Sequence, residues 1–285
     1  MNLRTYDMTP SSGRWLVMAF VALLWPLLGS GNALSAELLR HAQEARTVIS
    51  WSVSEEELNR LMPEGWQSQR ETKGPHEGAN FFLVLADQHH TQPAGGNGAA
   101  LSNIQAAVWT GPAAGNGEAG YMILGGMITP GAAPGDYGVY LPAMFQVSKT
   151  TDQRGAVRLN VEEWEVRGEG AEVIRVRLAY DSEDPHKSRA ETHTYSGMNP
   201  EIERLYDYDE DALILHSRAK GIEGVAELEV DASGGPLARL LRGAELTAVI
   251  SMPRVRIDVY LPMEGDVPLM SERQRLLLVG RSDPS

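Results

Sequence analysis

Residues 157–180, VRLNVEEWEVRGEGAEVIRVRLAY, decide the fold class of this chain. Apolar and polar residues alternate in two runs on either side of Gly168-Glu169-Gly170. A period of two is typical of a strand with one buried face, and a short glycine-containing connection is typical of a tight turn. The stretch therefore predicts a β-hairpin, with Arg175 and Arg177 on the solvent face of its second strand.

The alternation changes phase within the first strand. Apolar residues occupy odd positions up to Val161 and even positions from Trp164 onward. Because side chains of a strand alternate between faces, this slip predicts a β-bulge near residues 162–163. Glu163 and Glu165 should then share a face, where they fit either a carboxylate pair for sugar cleavage or a charged surface opposite Trp164.

Segments on both sides of this hairpin predict further strands and a few short helices. Residues 80–86 form a continuous apolar run, typical of a strand buried on both faces, and residues 225–230 and 246–261 predict further strands, the last interrupted at Pro253. Ser54 and Glu57 form a capping box that begins a helix over residues 54–62, and residues 200–206 predict a second short helix. The glycine-rich segments 93–100 and 111–120 predict mobile connections. The predicted fold class is α+β, predominantly antiparallel β, with a few short helices.

Composition excludes several chemistries. The 285 residues include no cysteine, which excludes thiolate nucleophiles, zinc–cysteine sites, iron–sulfur clusters and covalent c-type haem. No nucleophile-elbow serine, phosphate-binding glycine loop or His-Glu-x-x-His motif occurs. We therefore predict no cofactor.

The first 36 residues predict an export signal. Arg4 and Arg14 precede an apolar run over residues 15–29, and small residues follow at Ala33, Ser35 and Ala36. Cleavage after residue 35 or 36 would leave one domain, residues 37–285, in the periplasm or secreted. The run is shorter than the roughly 20 residues of a spanning helix, so no stable membrane insertion is expected after signal removal, with a retained anchor as the alternative.

Charge argues against a nucleic-acid partner. The whole chain has a net charge of −13, and the signal segment contributes +1 through two arginines and Asp7, so the remainder carries −14. Acidic protein repels phosphate backbones and anionic lipid surfaces. The sequence leaves the oligomeric state open.

Two segments carry a resemblance to a known family. Residues 51–66, WSVSEEELNRLMPEGW, combine a strand, a short helix and a proline–glycine stop, and residues 135–145, GDYGVYLPAMF, form an aromatic strand after a glycine turn. This order of parts resembles the acetoacetate decarboxylase-like superfamily. The resemblance implies that residues 37–285 form a cone-shaped antiparallel β-barrel around a small-molecule cavity.

The resemblance does not extend to the catalytic lysines. Decarboxylases of that family form a Schiff base on a lysine whose pKa is lowered by an adjacent lysine. The chain has Lys73, Lys149, Lys187 and Lys220, no two of them adjacent. Lys149 lies nearest the expected region, but residues 150–155 predict a polar hairpin turn, which favours an exposed lysine over a nucleophile.

Five aromatic residues in the middle of the chain are candidates to line the cavity, and each is also compatible with the core: Trp109, Tyr121, Tyr137, Tyr140 and Phe145. Glu163 and Arg175 are candidates for its mouth. The favoured function is noncovalent binding of a small, partly apolar molecule. The alternatives are a lyase or decarboxylase acting on a small keto acid through Lys149, and an envelope interaction module, which exposed aromatic patches would favour.

Two sets of polar residues are candidates for metal sites. His89 and His90 follow the apolar run closely after Asp87, and His193 would complete a metal site if folding brought it near. Adjacent strand residues face opposite sides, which weakens that hypothesis. The acidic run at residues 207–211 lacks the glycine-centred pattern of a calcium loop, so it predicts a solvated turn between a helix and a strand.

Overall fold

A computed structural model describes residues 36–96, 101–154, 157–181 and 184–262. Within these ranges the chain forms thirteen strands and two short α-helices. The predicted signal segment lies outside the described residues except for Ala36. Neither of the described α-helices has the length and apolar character needed to cross a membrane. The predicted predominance of antiparallel strands with few short helices is confirmed.

The strands are β1 (Glu37–Ser52), β2 (Trp66–Ser68), β3 (Phe81–Pro93), β4 (Ile104–Gly115), β5 (Glu118–Ile128), β6 (Tyr140–Arg154), β7 (Val157–Gly168), β8 (Val173–Asp181), β9 (His186–Ser196), β10 (Glu203–Ser217), β11 (Ile222–Glu223), β12 (Val225–Ser233) and β13 (Glu245–Leu261). The helices are α1 (Glu55–Asn59) and α2 (Gly235–Leu240).

Seven of these strands close into a ring. The order β5-β9-β10-β13-β1-β3-β4 is completed by pairing of β4 with β5, and every pairing in it is antiparallel except β5 with β9. A four-stranded antiparallel extension, β6-β7-β8-β12, continues from β5 through a short parallel pairing. The architecture is therefore a ring of strands with a sheet attached to one side.

The core divides according to this architecture. One apolar cluster lies between the outer side of the ring strands and the extension, and includes Leu83, Trp109, Trp164 and Leu178. A second cluster faces the inside of the ring and includes Phe82, Ile257 and Val259. Strand β3 contributes to both clusters, which confirms the prediction that residues 80–86 are buried on both faces.

The hairpin that decided the fold class is present, but its predicted bulge is wrong. β7 and β8 pair without a register shift from Leu159 to Arg167, and β6 pairs with β7 equally regularly. Glu162 occupies an inward position beside Trp164 and is 6% exposed. The change in the apolar alternation is therefore caused by a buried glutamate at an inward position, and not by an inserted residue. Glu163 and Glu165 share the outer face, as predicted.

The segment 111–120 is a hairpin and not a mobile connection. β4 continues to Gly115, Asn116 and Gly117 form the turn with positive φ angles of 53° and 89°, and β5 begins at Glu118. A Cβ atom at Gly111 would lie 2.3 Å from the carbonyl oxygen of Asn80. Glycine is required here for close backbone approach, which the sequence alone did not distinguish from flexibility.

The predictions of a second helix over residues 200–206 and of an acidic turn over residues 207–211 are also wrong. β10 covers most of residues 200–206 and all of 207–211. Its outward carboxylates bind arginines of neighbouring strands, Asp207 to Arg189 and Asp211 to Arg254 at 2.8 Å. These cross-strand ion pairs stabilise acidic residues in a strand, where propensity alone predicted a turn.

The remaining local predictions are confirmed in part. Ser54 caps α1 and accepts a hydrogen bond from the Glu57 amide, although α1 ends at Asn59. β13 runs through Pro253 without ending, and its pairings with β1 and β10 shift register there. The proline thus causes an irregularity rather than a break.

Candidate functional site

The inside of the ring contains a cavity of about 390 Å³. This volume lies within the range of sites for small molecules. Its walls are largely apolar, and are formed by Val48, Phe82, Val84, Val108, Ile123, Ile128, Met252, Ile257 and Val259. The main polar features of the cavity are two arginines of β1, a group of tyrosines and His76.

Two arginines of β1 form the first group. The side chain of Arg46 is 15% exposed and donates a hydrogen bond from Nε to Glu44, whose side chain is 4% exposed. Burial lowers the pKa of Arg46, but Glu44 and Tyr208 more than offset this and raise it above its ordinary value. Arg40 is paired with Asp136. Both arginines therefore stay charged inside the cavity.

The arginine donors are not all used within the protein. Arg40 Nε is buried and has no hydrogen-bond partner in the described part of the chain. A buried donor without a partner costs about 1–3 kcal/mol, unless water or a ligand supplies an acceptor. This end of the cavity is therefore suited to an acceptor-rich group such as a carboxylate.

Tyrosines form the second group. Tyr206 and Tyr208 stack with ring centroids 5.6 Å apart, and Arg46 Cζ lies 4.8 Å from the Tyr208 centroid. Tyr137 donates to the Tyr206 hydroxyl at 3.1 Å, and Tyr140 packs edge-on against Tyr137. Burial raises the pKa of Tyr208 to about 12 and that of Tyr137 and Tyr140 further. These phenols are therefore neutral at physiological pH.

His76 is the third polar feature. It lines the cavity from the segment between β2 and β3, and its Nδ1 lies 2.9 Å from the hydroxyl of the fully buried Ser50. Its ring packs edge-on against Phe82 at 5.0 Å. Burial lowers the pKa of His76 to about 4, so the imidazole is neutral at physiological pH.

The structure brings three of the five predicted aromatic residues together. Tyr121, Tyr137 and Tyr140 line the cavity. Trp109 is instead 5% exposed in the core between ring and extension, and Phe145 packs against that core. The positions of Trp109 and Phe145 therefore match the alternative interpretation, in which they are core residues.

Glu163 and Arg175 do not lie at the cavity mouth. Both lie on the outer face of the extension, where Glu163 pairs with Arg177 and Arg175 pairs with Asp231 at 3.3 Å. The face is a ladder of exposed ion pairs. These contacts match the interpretation of Glu163 and Glu165 as a charged surface.

Lys149 lies within β6 rather than in a turn. Its Nζ is 3.8 Å from Asp87 Oδ2 and 5.4 Å from the centroid of the Trp164 ring. These groups line or border a separate cleft of about 290 Å³ between ring and extension. A carboxylate and an aromatic face are partners for an ammonium ion, whereas an amine nucleophile is activated by a second cation or an apolar pocket.

The three histidines of the predicted metal site are not brought together. His89 lines the cleft beside Lys149, His90 lies on the opposite side of β3, and His193 on β9 bonds to Glu203 at 2.5 Å. In the described ranges, no three histidine or acidic side chains are grouped closely enough to hold a metal ion.

Sequence reasoning missed the charged and aromatic lining of β1 and β10. Arg40, Glu44 and Arg46 occupy even positions of β1 with Ala42 and Val48, and all five face the cavity. Charged residues in an alternating strand predict a solvent face, so this pattern hid them. The stacked Tyr206 and Tyr208 were hidden by the surrounding acidic run.

The similarities to known proteins are structural. No protein-family model and no curated protein matches the chain. An acetoacetate decarboxylase-like enzyme from Sphingomonas wittichii RW1 aligns with a TM-score of 0.44 and 11% identity, over 80% of this chain and 92% of that chain. The enduracididine biosynthesis enzyme MppR, complexed with pyruvate, aligns with a TM-score of 0.45 and 10% identity, over 81% and 91%.

Acetoacetate decarboxylase from Legionella pneumophila aligns with a TM-score of 0.42 and 8% identity, over 80% and 85%. The predicted resemblance to the acetoacetate decarboxylase-like superfamily is confirmed as a structural similarity at low identity.

Proposed function

We propose that the protein is an exported binding protein that holds a small molecule noncovalently inside a cone-shaped β-barrel. The closed ring of seven strands and its internal cavity support the barrel. The charged n-region, apolar run and small residues of positions 1–36 support export to the periplasm or beyond. The ligand has an apolar body and one acidic head group.

The lining of the cavity carries this proposal. Apolar walls bury the body of a ligand, while a few convergent polar groups fix its orientation. Arg40 and Arg46 supply cationic donors, and the phenols of Tyr137, Tyr140 and Tyr208 surround them. A carboxylate placed among these groups gains charge-assisted hydrogen bonds, which are about twice as strong as neutral ones.

Covalent Schiff-base chemistry finds no support in this cavity. All four lysines lie in the described residues, and none of them lines it. Lys149, the candidate nucleophile, lies in the cleft on the other side of the ring wall. We therefore expect Lys149→Ala to leave ligand binding unchanged. Loss of binding or of a turnover activity in that variant would favour the lyase instead.

Native mass spectrometry of protein purified from an exporting host tests the proposal directly. We expect an excess of a few hundred daltons under native conditions that disappears on denaturation, and a polypeptide mass that begins at residue 36 or 37. A retained excess after denaturation would establish a covalent adduct and contradict the noncovalent mechanism. A polypeptide mass that includes residues 1–35 would contradict signal cleavage.

A defined probe tests the ligand class. Octanoate combines an apolar chain with a carboxylate, and isothermal titration calorimetry measures its affinity. Replacing Arg46 by Met keeps most of the side-chain volume and removes the charge, so we expect octanoate binding to weaken about tenfold or more. Lys149→Ala is the matched control. Equal affinity of wild type and Arg46→Met would contradict the assignment of the head group.

A further inference from the structure

We propose that the natural ligand carries a hydroxyl group, remote from its acidic head, that hydrogen-bonds to His76. This inference rests on the proposed function, because it assigns the second polar group of the ligand in the same cavity. It makes His76 a specificity-determining residue rather than a catalytic one.

One nitrogen of His76 is committed to the protein. Nδ1 contacts Ser50 Oγ at 2.9 Å, and Ser50 Oγ also lies 2.8 Å from Thr247 Oγ1 and 3.4 Å from the Ala248 carbonyl oxygen. Ser50 and Thr247 are buried, so this network fixes the ring from behind. In the described part of the chain the Ser50 contact is the one hydrogen bond of the imidazole, which leaves Nε2 for a ligand in the cavity that His76 lines.

The tautomer determines what Nε2 offers. If Ser50 donates to Nδ1, then Nε2 carries the proton and donates; if Ser50 donates to Thr247 or to the Ala248 carbonyl, Nδ1 donates to Ser50 and Nε2 accepts. A hydroxyl group pairs with either form because it both donates and accepts. A carboxylate pairs with only one of them, and neutral imidazole gives it no compensating charge.

The other polar groups at this end of the cavity are occupied. Tyr121 donates its hydroxyl hydrogen to Glu71, and Thr110 donates to the Met122 carbonyl at 2.8 Å. Phe82 and Val48 supply apolar surface beside the imidazole. The hydroxyl hydrogens of Tyr121 and Thr110 are therefore both used within the protein, whereas His76 keeps a ring nitrogen that makes no hydrogen bond among the described side chains.

The two polar ends of the ligand are separated. Ser50, which holds His76, follows Arg46 by four residues on β1, and the pairing of β1 with β3 and β13 is regular between them. Four residues of strand span about 13 Å. The intervening lining includes Val48 and Val84. An apolar chain with a carboxylate at one end and a hydroxyl at the other matches this arrangement.

Three probes test the inference by calorimetry: octanoate, 8-hydroxyoctanoate and 2-hydroxyoctanoate. We expect wild type to bind 8-hydroxyoctanoate about fivefold to tenfold more tightly than octanoate, because one hydrogen bond replaces an unpaired ring nitrogen. 2-Hydroxyoctanoate has the same composition but carries its hydroxyl beside the carboxylate. We expect it to gain nothing from His76.

Two variants separate recognition from structure. His76→Phe should lose the preference for 8-hydroxyoctanoate over octanoate. His76→Gln, whose amide donates and accepts, should retain part of it. Equal wild-type affinities for octanoate and 8-hydroxyoctanoate, or a preference that survives in His76→Phe, would overturn this inference alone. Failure of wild type to bind any of the three acids would overturn the proposed function as well. If His76→Phe does not fold, the wild-type comparison decides by itself.

Discussion

His76 gives the protein a specific sensitivity to acid. Its pKa is lowered from 6.5 to about 4 by burial, so between these values the unfolded chain binds a proton that the folded chain does not. Folding stability therefore falls as pH decreases from about 6.5 to about 4, by up to about 3 kcal/mol from this residue.

Replacing His76 by Phe should flatten this part of the pH profile. Urea unfolding at pH 7 and pH 4.5 measures the difference, and His186→Gln is the control because His186 is exposed on β9. We expect the stability lost by wild type between the two pH values to shrink in His76→Phe and to persist in His186→Gln. An unchanged loss in His76→Phe would show that acid sensitivity originates elsewhere.

The Arg46–Glu44 pair should act as a unit in stability. Removing Arg46 alone leaves a carboxylate that is 4% exposed without its cation, a change that costs about 3–5 kcal/mol at buried sites. Replacing both partners by apolar residues of similar volume is often close to neutral. We therefore expect Arg46→Met to destabilise more than the double variant Arg46→Met, Glu44→Leu. Chemical denaturation of all four members of the cycle measures the coupling, and additive effects would contradict it.

The β4–β5 hairpin depends on Gly111, because only a residue without a Cβ lets the backbone of β4 approach that of Asn80 so closely. A Cβ at position 111 would lie 2.3 Å from a backbone oxygen of the neighbouring β3 end, and backbone cannot move aside locally. We expect Gly111→Ala to lower the free energy of unfolding by several kcal/mol. Gly131→Ala is the matched control, because its Cβ would meet nothing within 4 Å and the residue is exposed. Similar melting temperatures for the two variants would contradict the steric argument.

The elements best predicted from sequence are those in which pattern and burial agree. The β7–β8 hairpin, the doubly buried β3 and the capped start of α1 all follow local rules that tertiary contacts reinforce. The failures occur where a partner outside the segment decides the outcome. The acidic run in β10 depends on arginines of β9 and β13, which no local pattern contains.

The same division applies to the candidate site. Aromatic residues predict a cavity lining in general terms, and three of the five do line it. The sequence did not predict the arginines of β1 as cavity lining. A charge that faces inward needs a partner such as Asp136, which is almost a hundred positions away from Arg40. Closure of the strand ring creates these pairs, so they become visible only in three dimensions.

Ring and extension are joined by a buried carboxylate. Glu162 on β7 accepts hydrogen bonds from Thr47 of β1 at 2.8 Å and from Tyr180 of β8 at 2.9 Å, and Ser251 of β13 lies 3.5 Å away. All four residues are buried. Two ring strands and two extension strands thus meet at one side chain, in a molecule whose other contacts between these parts are largely apolar.

Glu162→Ala should therefore weaken the attachment of the extension more than the ring itself. The substitution leaves buried hydroxyls without their acceptor, at about 1–3 kcal/mol for each group left unpaired. We expect amide hydrogen exchange to accelerate in β7 and β8, while β1 and β3 keep their protection. Glu162→Gln, which retains an acceptor oxygen, should cost less. Glu163→Ala is the control one position away, because its ion pair with Arg177 lies on the exposed outer face and is screened by solvent. If Glu162→Ala and Glu163→Ala had the same small effect, apolar packing alone would hold ring and extension together. If exchange accelerated equally in β1 and β7, the two parts would unfold as one cooperative unit and Glu162 would stabilise the whole of it.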